Sequence, residues 1–137
     1  MQTSATLAPI SKSQLWTGRV LSTLAVLFLI FDGVLKLVKP AMVVEATVKL
    51  GYPESMITPI GIVLLSCVAL YCIPATRVFG AILLTGYLGG AVATHTRVGD
   101  PLFSHILFPT YVASLLWLGL YLRDPGLRAF VPLRKAS

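Results

Sequence analysis

Six polar residues in this chain have the types and spacing to do chemistry: Asp32, Lys36, His95, Arg97, Asp100 and His105. The first two stand in "FDGVLKLVKP", residues 31–40, after a run that otherwise reads as oil-soluble. A carboxylate and an ammonium four residues apart share one helix face, so they can neutralise each other. They can equally hold a ligand, a proton or a partner, because an ionisable group inside a membrane span is a functional hypothesis by default. The other four stand in "HTRVGDPLFSH", residues 95–105. Two imidazoles can move protons, and Arg97 and Asp100 add one charge of each sign.

Sharper chemistries fit less well. A metal centre needs three or four ligands, and two histidines ten apart, one of them in a loop, do not supply them. Haem ligation needs histidines facing each other at one depth, which two imidazoles at one membrane edge do not demand. There is no Walker motif, dinucleotide fingerprint or nucleophile elbow. Cys67 and Cys72 are five apart. That spacing turns them about 140° from each other and ~7.5 Å along a helix, which disfavours a disulfide and favours buried packing.

The elements that must position the polar residues follow from composition. Of 137 residues, 56% are hydrophobic and 12% charged, with net charge +6 and mean hydropathy +0.86. A soluble domain carries about 25% charged residues. The chain therefore reads as a membrane protein, and its length allows one domain over residues 1–137. Apolar stretches at residues 15–38, 56–73, 78–94 and 102–122 each approach the roughly 17–25 residues that a helix needs to cross ~30 Å of hydrocarbon. The expected fold is all-α, an integral membrane four-helix bundle. The first stretch, preceded by Lys12, reads as a retained signal anchor.

At about 100° per residue, Gly18, Ser22, Ala25, Leu29, Asp32 and Lys36 fall on one stripe about 80° wide. Small residues let helices approach in lipid, and a charge against lipid at mid-span costs roughly 2.5–3.5 kcal/mol. Both arguments turn the stripe inward. Asp32 lies ~20 Å beyond Arg19 along the axis, past the midplane. The alternation of crossings brings residues 95–105 to the same end as Asp32, so all six polar residues should converge there.

Other features complete the expected frame. Gly86 and Gly90 form a GxxxG pair, read as a face for close packing by another helix, including self-association. Pro109 lacks an N–H and leaves the His105 carbonyl without its helical partner, which predicts a bend beside the polar cluster. Thr58-Pro59, Asp100-Pro101 and Asp124-Pro125 read as N-caps followed by a helix-starting proline. Residues 40–53 should form a short amphipathic helix at the outer interface, with Glu45 and Lys49 on one face and Gly51 ending it left-handed. A similar segment, "PGLRAFVPLRK", should lie at the inner interface. Trp16, Tyr52, Tyr87, Tyr111, Trp117 and Tyr121 read as interfacial anchors.

The basic residues lie at span ends, which argues for orientation rather than nucleic acid. Lys12, Arg19, Arg77, Arg123, Arg128, Arg134 and Lys135 share one side, and Lys36, Lys39, Lys49 and Arg97 the other. Seven against four places both termini in the cytoplasm.

"FDGVLKLVKP", "LGYP" and "GAILLTGYLGGAVATHTRVGDPLFSHILFP", in that order between these spans, resemble the DoxX-like family of small four-helix membrane proteins. The likeness runs over residues 16–134. It implies a four-span bundle in a bacterial inner membrane, and a fold transfers more directly than a reaction. One member of the family is associated with a quinone-linked oxidoreductase complex. The expectation is an accessory or small-ligand-binding subunit serving quinone redox chemistry, with quinone as the candidate cofactor and a membrane or periplasmic redox protein as the candidate partner. A proton-coupled transporter using Asp32 and a membrane oxidoreductase are the alternatives.

Overall fold

A computed structural model describes residues 9–131 of the chain. Helices run from Lys12–Val38 (α1), Ala41–Lys49 (α2), Ile57–Cys72 (α3), Arg77–Val98 (α4), Phe108–Arg123 (α5) and Pro125–Phe130 (α6). No strand occurs among the described residues. Four helical segments are long and apolar enough to cross a membrane: α1, α3 with its preceding turn, α4 with its preceding turn, and α5 with the turn before it. They alternate in direction, so α1 and α4 each pack against α3 and α5 around a square.

The start of α1 is set by a reciprocal cap. Ser11 accepts from the Gln14 backbone N–H at 3.2 Å, while the Gln14 side chain accepts from the Ser11 N–H at 3.4 Å. This S-x-x-Q box begins the helix three residues before the apolar run. Along α1, Gly18, Ser22, Ala25, Leu29 and Gly33 are buried, as the small-residue stripe requires. Its tightest crossing is with α5. A Cβ placed on Gly18 would lie 2.7 Å from the Gly119 carbonyl oxygen, so only glycine admits the two backbones at this spacing.

One buried tyrosine ties three helices at this crossing. Tyr71 donates its hydroxyl hydrogen to the Leu116 carbonyl at 2.8 Å, which leaves its oxygen to accept from Ser22 at 2.9 Å. Tyr71 is 2% exposed. In so apolar a core an unpaired hydroxyl would cost ~1–3 kcal/mol, and here neither hydroxyl is left unpaired. The rest of the core is Ala25, Leu29, Leu64, Val68, Leu84, Leu116 and Leu120 with their neighbours. The outward faces carry Val20, Leu24, Leu27, Ile62, Val63, Ile82 and Leu118, each at least half exposed, which is the pattern of a lipid-facing surface.

Several boundaries depart from expectation for local reasons. A 3-10 turn at Glu54–Met56 starts the second crossing early, so Thr58 lies inside α3 rather than capping it. Pro59 then falls in the first turn, where its missing N–H is harmless. The third crossing is longer than residues 78–94, because nothing in "GGAVATHTRV" breaks it before Gly99. Within it Thr94 and Thr96 bond back to the carbonyls of Gly90 and Val92. The fourth crossing is broken rather than bent. A single π turn at Leu102–Ile106 precedes α5, and Pro109 sits in the first turn of that helix.

Asp124 does cap α6, accepting from the Leu127 N–H at 3.1 Å. Residues 132–135 of the expected C-terminal segment, including Arg134 and Lys135, lie outside the described residues. Both cysteines are free; Cys67 is buried as expected, whereas Cys72 is exposed. Glu45 and Lys49 form no ion pair among the described residues; Lys39 and Glu54 do, at 3.5 Å.

Candidate functional site

Two helix ends are built by the same turn, and both shape the site. At the end of α2 the N–H groups of Gly51 and Tyr52 bond the carbonyls of Val48 and Thr47, with Gly51 at φ +93°. At the end of α4 the N–H groups of Gly99 and Asp100 bond the carbonyls of Thr96 and His95, with Gly99 at φ +73°. Each is a Schellman turn, which needs a left-handed residue and so a glycine. The first aims Tyr52 back at the bundle, where its hydroxyl meets Thr94 Oγ1 at 2.9 Å. The second folds Asp100 back over the last turn of α4, and its carboxylate meets His95 Nδ1 at 2.5 Å.

Asp100 therefore does not cap a helix at Pro101; it fixes an imidazole. A carboxylate acceptor holds the ring proton on Nδ1 and leaves Nε2 for other partners. His95 itself lies in the last turn of α4, not in a loop. The His105 ring stacks edge-on against it with centroids 6.0 Å apart, and His105 Nδ1 meets Ser104 Oγ at 2.7 Å. On α1 the Lys36 ammonium lies 2.5 Å from the Asp32 carboxylate, so the self-neutralising pair is formed.

Between these groups lies a cavity of about 690 Å3. Asp32, Lys36 and His95 line it. Asp100, Arg97 and His105 are not in its wall. Asp100 orients His95, His105 packs behind the same ring, and Arg97 donates to the Leu50 carbonyl at 2.6 Å. Arg97 thus ties the end of α2 to α4. The six residues do gather at one end of the bundle, but in two ranks.

The remaining wall was not legible as a site. Phe28, Leu29, Phe108 and Val112 give it an apolar floor, and α2 roofs it with Met42, Val43, Ala46 and Thr47. Tyr87 lies at the middle of α4 and faces this hollow rather than a membrane interface, and Tyr52 lines it too. Trp117 is likewise no simple anchor, since its indole N–H donates to Thr85 at 2.7 Å. Gly86 and Gly90 also line the cavity, and a Cβ on either would meet nothing within 4 Å. Within the described chain the GxxxG pair makes room instead of seating a helix. The signal available in the sequence was the break at Pro109, which lines the same hollow.

Residues 20–119 match the model of the DoxX-like family. The chain belongs to that family. No curated protein and no solved structure matches it significantly. This DoxX-like chain is thus a multi-pass membrane protein with an amphipathic hollow at one end of its bundle. Among its described residues no three His, Cys, Asp or Glu side chains group as metal ligands.

Proposed function

We propose that this DoxX-like protein is a non-catalytic membrane module, an accessory or ligand-binding subunit that takes a small amphipathic molecule. The supporting observation is the cavity of about 690 Å3, apolar along Phe28, Leu29, Phe108 and Val112 and polar at Asp32, Lys36, Tyr52 and His95. Ligand sites span roughly 300–1,000 Å3 and combine a mostly apolar wall with a few converging polar groups. A quinone has the matching division, with an apolar ring and tail and carbonyl acceptors for an ammonium or an imidazole. On this reading the protein sits in a bacterial inner membrane with both termini cytoplasmic, and its partner is a redox protein of the membrane or periplasm.

The test uses the protein in lipid nanodiscs and a short-chain ubiquinone analogue, with binding read from quenching of Trp16 and Trp117 fluorescence. Replacing Gly86 and Gly90 together by Leu fills the hollow from positions where a Cβ meets nothing. Affinity should fall about tenfold or more, equivalent to ~1.4 kcal/mol, with the fold intact. Equal affinity in parent and filled variant, or no binding by the parent, refutes the reading.

The His95–Asp100 pair favours a second reading, a membrane oxidoreductase in which the oriented imidazole passes protons to a reduced ligand. Quinone reduction by the purified protein with an added electron donor, lost in His95→Gln, would establish it. Proton-coupled transport through Asp32 is less well supported, because an ammonium 2.5 Å away already occupies that carboxylate. Uptake by proteoliposomes that follows an imposed pH gradient would reinstate it.

A further inference from the structure

The opposite end of the bundle holds a second, smaller cavity of about 210 Å3, and its polar character is of one sign. Arg19 of α1 and Arg123 at the end of α5 both line it, together with Ser22, Thr23, Tyr71 and Cys72. No acidic residue does. The chain has five carboxylates, and four of them, Asp32, Glu45, Glu54 and Asp100, belong to the far end of the molecule. The fifth, Asp124, is occupied in capping α6 through the Leu127 N–H. Among the described residues no arginine at this end forms an ion pair.

Arg123 is held rather than free. Its guanidinium lies over the Tyr71 ring at 5.9 Å, and its Nε is buried with no hydrogen-bond partner. Arg19 lies over the Trp16 ring at 5.4 Å. Burying a donor of a charged group without an acceptor is costly, and two guanidiniums facing one hollow add like-charge repulsion. A bound anion relieves both at once. The guanidinium fork matches a tetrahedral oxyanion, and the Thr23 hydroxyl at the same wall is a further polar group.

We infer that this cavity is a phosphate-binding site in which Arg19 and Arg123 clasp a phosphate group, supplied by an anionic lipid headgroup or by free phosphate. The two sources share one chemistry, and the position of the cavity at a span end admits either. The inference is independent of the ligand bound at the other end.

The experiment places the full-length protein in nanodiscs of phosphatidylcholine alone or with phosphatidylglycerol, and separately adds inorganic phosphate to the phosphatidylcholine discs. Thermal midpoint and retained lipid, by native mass spectrometry, are read for the parent, Arg19→Gln, Arg123→Lys, the Arg19→Gln/Arg123→Gln pair, and Lys12→Gln as a charge-matched control outside the cavity. A midpoint raised by phosphatidylglycerol and not by phosphate, with about tenfold weaker lipid retention in the double variant, establishes the site with a lipid source. A rise with phosphate alone establishes it with a soluble source. Arg123→Lys should keep part of the effect, since it retains the charge without the fork. Where the double variant does not fold, Arg19→Gln alone gives the comparison, because Arg19 is an exposed residue. Loss in Lys12→Gln equal to that in Arg19→Gln, or no response of the parent to either anion, overturns the inference.

Discussion

Removing the Asp32 carboxylate leaves the Lys36 ammonium, 15% exposed, without the acceptor that now lies 2.5 Å from it. The helical spacing that makes the pair also makes it separable by mutation. A partly buried charge without a partner costs more than the absence of both charges. Asp32→Asn should therefore destabilise the protein by roughly 1–3 kcal/mol, and Asp32→Asn with Lys36→Met should recover most of that loss. Unfolding in mixed micelles by a denaturing detergent measures the cycle. A double variant less stable than the single one would show that Lys36 has another essential partner. The same logic separates Asp100 from the cavity: its effect on a ligand passes through His95, whose ring it orients.

At the scale of the helices, glycine has two opposite uses, and the contrast can be measured. Gly119 lies where α1 and α5 touch; a Cβ there would stand 2.8 Å from the Gly18 carbonyl oxygen and closer still to Ser22 Oγ. Gly86 lies in helix α4 with open space beside it. Gly119→Ala should thus lower the thermal midpoint sharply, while Gly86→Ala should raise it, since Ala exceeds Gly in a helix interior by roughly 0.5–1 kcal/mol. Equal effects of the two would contradict the packing described. The sequence carries the four crossings, the inward stripe from Gly18 to Leu29, and the short helix ended by Gly51, because periodicity and turn chemistry are local. It does not carry the different fates of Gly18 and Gly86. Both are small residues on an apolar helix, and only the positions of the neighbouring helices decide whether a backbone or a hollow lies opposite. The His95–Asp100 contact lies between these cases. "HTRVGD" contains the whole turn, with Gly99 as its left-handed residue and Asp100 as the residue returned to His95.

At the scale of the molecule, charge is unevenly shared. The end near the cavity roof balances Lys36, Lys39, Lys49 and Arg97 against Asp32, Glu45, Glu54 and Asp100, whereas the other end sets Lys12, Arg19, Arg77, Arg123 and Arg128 against Asp124 alone. The proposed orientation, with both termini in the cytoplasm, follows the lysines and arginines of that end and not the net balance. In a variant with Cys67 and Cys72 replaced by Ala, a thiol at Lys12→Cys should react with an impermeant reagent only in inverted vesicles, and one at Lys49→Cys only in intact spheroplasts. The reverse pattern would turn the bundle over.

The large hollow has one more consequence for this molecule. Interior space left unfilled forfeits dispersion contacts that packed side chains would make, so whatever fills it also tightens the fold. A compound present at a hundred times its dissociation constant adds ~2.7 kcal/mol to folding stability. Melting curves recorded across a library of amphiphiles would then rank candidates by occupancy, with no assay of turnover and no prior guess at the reaction.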